Sequence, residues 1–210
     1  MLSRRFLVPI ILIVSGIASA RVALADSSQE ATNFLNEFGQ RAIAALKAPN
    51  IPDEELANRF RSIFEEGFDV PFIARSALGR FWVRASAEEQ AQYIPLFEDY
   101  IVEIYSSQFQ EYQIKAFTAQ SARAEGDNSV EVFSDFVKPD GSAVKLQWTV
   151  ANIDGVPKIR DVKVEGVSMI ATYRDQFANE ILQSDGRIAG LLDTLREKTA
   201  SLRTQVAGHD

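Results

Sequence analysis

The spacing of apolar residues changes twice along the chain, and these changes restrict the possible folds more than any other sequence feature. Up to about Tyr112, apolar residues recur every three or four positions, which is typical of helices. Residues 144–150 instead alternate between apolar and polar, which predicts a half-buried strand, and the helical spacing returns after Gly166. Helices, then a sheet, then helices predict an α+β fold whose helices pack on one face of the sheet.

Local signals divide the first helical part into separate helices. Residues 26–47 have one apolar face, and a second helix is predicted from Asp53 to Gly67. Gly67 is expected to end that helix in the left-handed conformation, which glycine adopts without strain. Asp69 is a favourable N-cap and Pro71 suits a first helical turn, so the two predict a short helix after Gly67.

A long helix is predicted over residues 86–108. Ser86 and Glu89 have the spacing of a capping box, in which each side chain binds a free backbone amide of the other residue. Pro95 lies inside this helix and is expected to kink it.

Four strands joined by short turns predict an antiparallel meander. They cover residues 112–123, 130–136, 144–150 and 156–165. Gly166 is expected to end the sheet. A helix from about Ser168 is predicted to bury Val167 with the apolar residues that follow, and a last helix starts near Gly186.

The first 25 residues have the features of an export signal. Arg4 and Arg5 precede an apolar run over residues 6–20, and Ala23-Leu24-Ala25 matches a signal-peptidase site. The run is shorter than the ~20 residues that a spanning helix needs, although an uncleaved anchor is the competing interpretation. We expect cleavage after Ala25 and a single domain over residues 26–210. The spacing after the arginines favours the general secretory route over the twin-arginine route.

Charge and composition argue against several classes of partner and site. Removal of residues 1–25 takes away three arginines and no acidic residue, so the net charge changes from −7 to −10. Such a chain is repelled by nucleic acids and by anionic lipid surfaces. It has no cysteine, so disulfides and thiolate metal sites are impossible.

Few residues are suited to catalysis. His209, the only histidine, is next to the chain end, so Ser-His and Cys-His mechanisms lack a base and zinc lacks its usual ligands. Carboxylate pairs remain an option, and the candidates are Asp69, Asp99, Asp135 and Asp161. A helix cap for Asp69 and solvated faces for the other three suit these residues better. We therefore expect no enzyme, no catalytic residue and no metal site.

Two further groups allow more than one interpretation. Arg75, Arg80 and Arg174 are candidates for a phosphate clamp, and ordinary surface or salt-bridge roles are the simpler alternative. The 14 phenylalanines fit either a solid core or the wall of a pocket, because apolar periodicity does not distinguish the two.

Two motifs carry a family resemblance. The run F-D-V-P-F-I-A-R at residues 68–75, with A-L-G-R-F-W at 77–82, closely resembles the signature of the MlaC family, also called toluene-tolerance proteins. A second match is D-V-K-V-E-G-V-S at 161–168, which leads into Y-R-D-Q-F at 173–177. The hopanoid-associated HpnM branch is similar in outline, but the E-G-V-S and Y-R-x-x-F runs are more like MlaC.

This resemblance implies a monomeric periplasmic carrier for phospholipid, with no cofactor besides its cargo. The acyl chains would lie in an apolar cavity between helices and sheet, and the carrier would move lipid between an inner-membrane ABC transporter complex and an outer-membrane lipoprotein–porin complex. Residues 68–82 would close one side of the cavity. The expected lipid-binding residues are Phe72, Ile73, Leu78, Trp82, Phe97, Tyr100, Ile101, Ile104, Tyr105, Val132, Phe136, Val144, Leu146, Trp148, Val164, Ile170, Tyr173 and Phe177.

Two alternatives to a carrier remain at the level of sequence. One is a periplasmic adaptor or structural module with a solid core, which predicts no bound ligand. The other is a carboxylate-based hydrolase on a similar fold, which predicts a polar cleft with inward-facing acidic residues.

Overall fold

A computed structural model describes residues 16–47, 51–112, 116–126 and 128–207. These residues form six α-helices, one 3₁₀ helix and one five-stranded sheet. The helices are α1 (Gly16–Leu46), α2 (Asp53–Gly67), α3 (Val70–Leu78), a 3₁₀ helix (Gly79–Arg84), α4 (Ala87–Tyr112), α5 (Met169–Gln183) and α6 (Ile188–Ala207). The strands are β1 (Ala116–Ala124), β2 (Ser129–Val137), β3 (Ala143–Ile153), β4 (Val156–Val164) and β5 (Val167–Ser168). The predicted α+β class is confirmed.

The sheet is an antiparallel meander in the order β1-β2-β3-β4-β5. The four predicted strands are present, and the two-residue strand β5 was missed. Gly166 therefore does not end the sheet. With φ values of 50° and 83°, Glu165 and Gly166 form a tight turn that pairs Val167 with Val164. The prediction that Val167 is buried was wrong, because this edge position leaves it 60% exposed.

The predicted helix caps are confirmed. The Asp69 carboxylate accepts a hydrogen bond from the Phe72 N–H at 3.3 Å, so it caps α3. In the capping box of α4, the Ser86 N–H donates to Glu89 at 2.8 Å and the Glu89 N–H donates to the Ser86 hydroxyl at 3.1 Å. Helix α4 continues through Pro95 to Tyr112.

One predicted end conformation and one predicted helix boundary differ from the structure. Gly67 is the last residue of α2 and is absent from the positive-φ residues, so the expected left-handed end was wrong. Its missing side chain instead makes room for the ring of Phe38. Helix α1 begins at Gly16 rather than at residue 26, since residues 16–25 are rich in good helix formers. Cleavage after Ala25 stays a prediction, and residues 6–15 of the apolar run lie outside the described residues.

Within the described ranges, no helix combines the length and the hydrophobicity needed to cross a membrane.

Buried apolar residues form two clusters. The helical cluster brings together α2 to α6, and it contains Tyr93, whose hydroxyl donates to the Ala74 carbonyl at 3.0 Å and ties α4 to α3. The sheet cluster joins α1 to one face of the sheet through residues such as Leu35, Val132 and Trp148. Phe68 packs against both clusters. The space between them is where a site can form.

The opposite face of the sheet carries an ion cluster around Glu131. This β2 side chain is fully covered and pairs with Arg123 of β1 at 2.5 Å and with Lys163 of β4 at 2.8 Å. Burial alone would raise the pKa of Glu131, but the contacts with Lys163 and Arg123 outweigh it and hold the pKa below its ordinary value. The cluster therefore links three strands through one ionised carboxylate.

We predict that Glu131→Gln lowers the free energy of unfolding at neutral pH and that the deficit shrinks in acid. The folded-state pKa of Glu131 is depressed, so its stabilising contribution is complete above the ordinary value of 4.5 and is lost as the pH falls through the folded pKa. Urea unfolding of wild type and variant across acidic to neutral pH measures the difference. Glu197→Gln, on the exposed face of α6, is the matched control and should change little at any pH.

A difference between wild type and Glu131→Gln that stays constant down to low pH would contradict this assignment.

Candidate functional site

A cavity of about 480 Å³ lies between the helical cluster and the sheet cluster, partly open to solvent. Its volume is within the range of ligand-binding pockets. The lining residues come from five helices or their ends and from four strands: Leu35, Phe38, Gly39, Ala42, Ile43, Leu46, Phe60, Ile63, Phe64, Phe68, Ile73, Phe97, Ile101, Tyr105, Phe117, Phe136, Lys138, Val144, Leu146, Trp148, Arg160, Asp161, Val162, Val164, Met169, Ile170 and Tyr173.

The wall is almost entirely apolar. Its charged residues are Lys138, at the β2–β3 hairpin, and Arg160 and Asp161, next to each other on β4. The other lining residues are aliphatic, aromatic or glycine. Such a surface binds hydrocarbon well and has few groups with which to hold a polar substrate.

Eleven of the expected lipid-binding residues line this cavity. They are Ile73, Phe97, Ile101, Tyr105, Phe136, Val144, Leu146, Trp148, Val164, Ile170 and Tyr173. The alternation on β3 places Val144, Leu146 and Trp148 on one face of the strand, as the sequence pattern predicted. Lipid contact itself stays a prediction for these residues.

The other seven lie outside the wall. Leu78, Tyr100 and Phe177 are buried in the helical cluster, and Trp82 and Ile104 pack against it. Val132 is completely buried in the sheet cluster, and Phe72 is 39% exposed beneath the Arg160 guanidinium. These placements differ from the expected wall, because an apolar face of a helix or strand meets solid core at some positions and the cavity at others.

Sequence reasoning missed much of the wall on α1 and α2. These residues are Leu35, Phe38, Gly39, Ala42, Ile43 and Leu46 on α1 and Phe60, Ile63 and Phe64 on α2. Most of them belong to apolar stripes that the helical spacing did reveal. The sequence contained no signal that these stripes, rather than others, face the cavity.

Three aromatic rings belong to the sheet side of the cavity. The ring centre of Phe117 is 5.4 Å from that of Phe136 and 5.9 Å from that of Trp148, in edge-to-face geometry. The Trp148 indole N–H donates to the Ser134 hydroxyl at 2.8 Å. Because this N–H is satisfied within the sheet, Trp148 needs no polar partner in the cavity.

Two tyrosines add hydroxyl groups to the wall. The Tyr173 hydroxyl donates to the Tyr105 hydroxyl at 3.0 Å, and Tyr105 in turn contacts the Met169 sulfur at 3.9 Å. Burial, together with the neighbouring Tyr105, raises the pKa of Tyr173 far above its ordinary range. Tyr173 therefore stays neutral and brings no charge to the cavity.

The candidate acidic residues are separately engaged. Asp69 pairs with Arg160 at 2.9 Å and Asp99 pairs with Arg61 at 2.6 Å. Asp135 accepts from Gln120 at 2.6 Å. Asp161, the member that lines the cavity, accepts from the Ser168 hydroxyl at 2.6 Å and from the Ile170 N–H at 3.2 Å. Asp69, Asp99 and Asp161 are engaged in ion pairs or at helix starts, and Asp135 accepts from a side-chain amide.

The three candidate arginines are not among the lining residues. The Arg174 guanidinium donates to the Ser76 carbonyl at 2.9 Å. Arg75 lies over the Trp82 ring at 6.0 Å and Arg80 lies over the Phe81 ring at 5.1 Å. These contacts favour structural roles over a phosphate clamp.

Residues 68–82 contribute less to the wall than expected. Phe68 and Ile73 line the cavity, whereas Val70, Ala74 and Phe81 are buried in the helical cluster. The segment therefore anchors the helical layer more than it closes the cavity.

No cluster of three or more His, Cys, Asp or Glu side chains suited to a metal ion occurs in the part of the chain that the structure describes.

Comparison with known proteins identifies the family. The model of the MlaC protein family matches residues 36–197. The chain belongs to the MlaC family. The match contains both sequence motifs and most of the elements that form the cavity, and it confirms the predicted MlaC family.

Two individual proteins are similar to this MlaC-family chain. The toluene tolerance protein Ttg2D of Pseudomonas putida is 25% identical over 126 residues, which are 60% of this chain and 59% of that protein. The chain thus spans about three fifths of this relative's length. A solved structure of a phospholipid-binding protein from Ralstonia solanacearum, in complex with a phospholipid, matches with a TM-score of 0.71 and 23% identity. It covers 82% of this chain and 98% of the other, and it supports the fold.

We predict that Tyr105→Phe destabilises this MlaC-family protein by about 1 kcal/mol, because the buried Tyr173 hydroxyl loses its acceptor. Tyr173→Phe should lower the free energy of unfolding by a smaller amount, since Tyr105 keeps its contact with Met169. Urea unfolding of both single variants and the double variant gives the coupling energy. The double variant should lose less free energy of unfolding than the two single variants together. Strictly additive losses would contradict the hydrogen bond between the two tyrosines.

Proposed function

We propose that this protein is a periplasmic phospholipid carrier. It holds acyl chains in the cavity, leaves the head group outside, and moves lipid between an inner-membrane ABC transporter complex and an outer-membrane lipoprotein–porin complex. The observation that carries the proposal is the continuous apolar wall between the two clusters, whose charged members among the described residues are Lys138, Arg160 and Asp161. Family membership and the phospholipid in the related Ralstonia solanacearum structure support it.

The energetics of acyl chains explain why such a cavity is useful. Each methylene group exposed to water costs ~0.8 kcal/mol, so two chains together cost tens of kcal/mol. A lipid therefore crosses an aqueous compartment only when a protein covers its chains. Transport requires that the protein buries and then releases the acyl chains, and no covalent bond is made or broken. The proposal accordingly gives no residue a catalytic role.

The structure bears differently on the two alternatives. A solid adaptor module does not explain a 480 Å³ cavity between the clusters. A carboxylate hydrolase needs two acidic groups that act together, and the four candidates instead bind Arg160, Arg61, Gln120 and the start of α5. Of the three hypotheses, the carrier is the one that gives the cavity a function.

Lipid load tests the carrier hypothesis directly. We predict that the purified protein yields phospholipid on solvent extraction and mass spectrometry, and that Leu146→Trp lowers the amount per protein. Leu146 lies in the middle of the β3 wall, where the larger ring displaces acyl chain. Each methylene that loses its cover weakens binding by about fourfold, from ~0.8 kcal/mol.

Ile104→Trp is the matched control. Ile104 packs against the helical cluster outside the lining residues, so the same enlargement should leave the lipid load unchanged. A wild-type protein without any extracted phospholipid would refute the carrier hypothesis. An equal loss in both variants would show that the effect is not specific to the wall.

Export is tested by fractionation. We expect the protein in the periplasmic fraction with Asp26 as its first residue, because Ala23 and Ala25 form the cleavage site. Replacing Ala25 with a bulky residue, as in Ala25→Leu, should block cleavage and retain the protein at the membrane. Recovery of uncleaved wild-type protein in the membrane fraction would instead support the anchor.

A further inference from the structure

Two glycines each pack directly against an aromatic ring of the cavity wall, in the space that a side chain would otherwise occupy. Carbons of the Phe117 ring lie where a Cβ of Gly39 would stand, closer than 3.0 Å. The Phe38 ring lies in the same way on Gly67. Real Cβ atoms essentially never approach other atoms so closely, so any side chain at either position requires a neighbour to move.

The two glycine–ring contacts hold α1, α2 and β1 together. Phe38 and Gly39 are consecutive on α1, so this turn of the helix places one ring on α2 and receives another ring from β1. Both rings line the cavity and are nearly buried, with Phe38 6% and Phe117 8% exposed. Helix α1 thereby lies close to α2 and to the sheet along one side of the cavity.

We infer that Gly39 and Gly67 set the capacity of the cavity. Because neither has a side chain, the two phenylalanine rings withdraw against the helices and leave the space between the clusters to the ligand. The inference rests on the proposed function and adds two residues that determine which acyl chains fit. Gly39 lines the cavity, and Gly67 is not a lining residue.

The direction in which the rings would move follows from their surroundings. Phe117 is held on the sheet side by Phe136 and Trp148, with ring centres 5.4 and 5.9 Å away. Phe38 has Phe34 and Phe68 beside it at 5.6 and 6.1 Å. Packed interiors resist displacement, and the cavity is the open space next to both rings. A methyl group on either glycine therefore pushes a ring into the cavity.

The test uses the delipidated full-length mature protein and vesicles with equal amounts of short-chain and long-chain phosphatidylethanolamine. Captured lipid is extracted and its chain lengths are measured by mass spectrometry. Compared with wild type, Gly39→Ala and Gly67→Ala should shift the captured lipid towards shorter chains. Adding Phe117→Leu to Gly39→Ala, or Phe38→Leu to Gly67→Ala, should restore the wild-type distribution, because a smaller side chain accommodates the methyl group.

Gly190→Ala is the matched control. A Cβ at Gly190 meets the Ser184 side chain just as closely, but neither residue lines the cavity. This variant should keep the wild-type chain-length distribution even if its stability falls. A shift in Gly190→Ala equal to that of the other two variants would overturn the inference, as would Gly39→Ala and Gly67→Ala variants that fold and capture the wild-type distribution.

Single Phe117→Leu and Phe38→Leu variants cover the case in which the alanine variants do not fold. Each enlarges the cavity and should shift the captured lipid towards longer chains or raise the amount per protein. A chain-length distribution and an amount per protein that are both unchanged would overturn the inference. Wild-type protein that captures no phospholipid would instead refute the proposed function, so the two failures are distinguishable.

Discussion

The backbone hydrogen bond from the Asp69 N–H to the Ile159 carbonyl, 2.9 Å long, fixes the helical layer to the sheet. Phe68, one residue earlier, packs against both hydrophobic clusters, and Asp69 pairs with Arg160 while it caps α3. A short segment thus joins the middle of β4 to the start of a helix that is buried among the others. Because this link sets the position of one cluster relative to the other, the cavity between them depends on it.

A wide apolar cavity has a cost that the rest of the structure must offset. Protein interiors are normally close-packed, and unfilled apolar space loses the dispersion contacts that a filled core provides. The helical cluster is dense on its own, with Tyr93, Phe97 and Phe177 in mutual contact, so the fold does not depend on the cavity for its core. A ligand that fills the cavity then adds to stability in proportion to its affinity and concentration. Binding and stability are linked for that reason.

Sequence periodicity and capping signals predicted the elements well because both are local. The Ser86 and Glu89 box and the Asp69 cap depend on residues only three apart, and the alternation on β3 follows from the strand itself. The wall was predicted less well because it depends on which distant surfaces meet. Val132 and Leu146 have the same apolar, inward character, yet only Leu146 borders the cavity. Strand β5 was missed because two residues give no period.

The phenylalanines illustrate the same limit and resolve the choice between solid core and pocket. Both exist: Phe81 and Phe177 fill the helical cluster, whereas Phe38 and Phe117 line the cavity. The residue type is the same in the two places, so the difference lies in the neighbours. Rings in the helical cluster are surrounded by other large side chains. Phe38 and Phe117 each have a glycine on one side, and a glycine beside a large ring leaves space that a uniform packing of phenylalanines would fill.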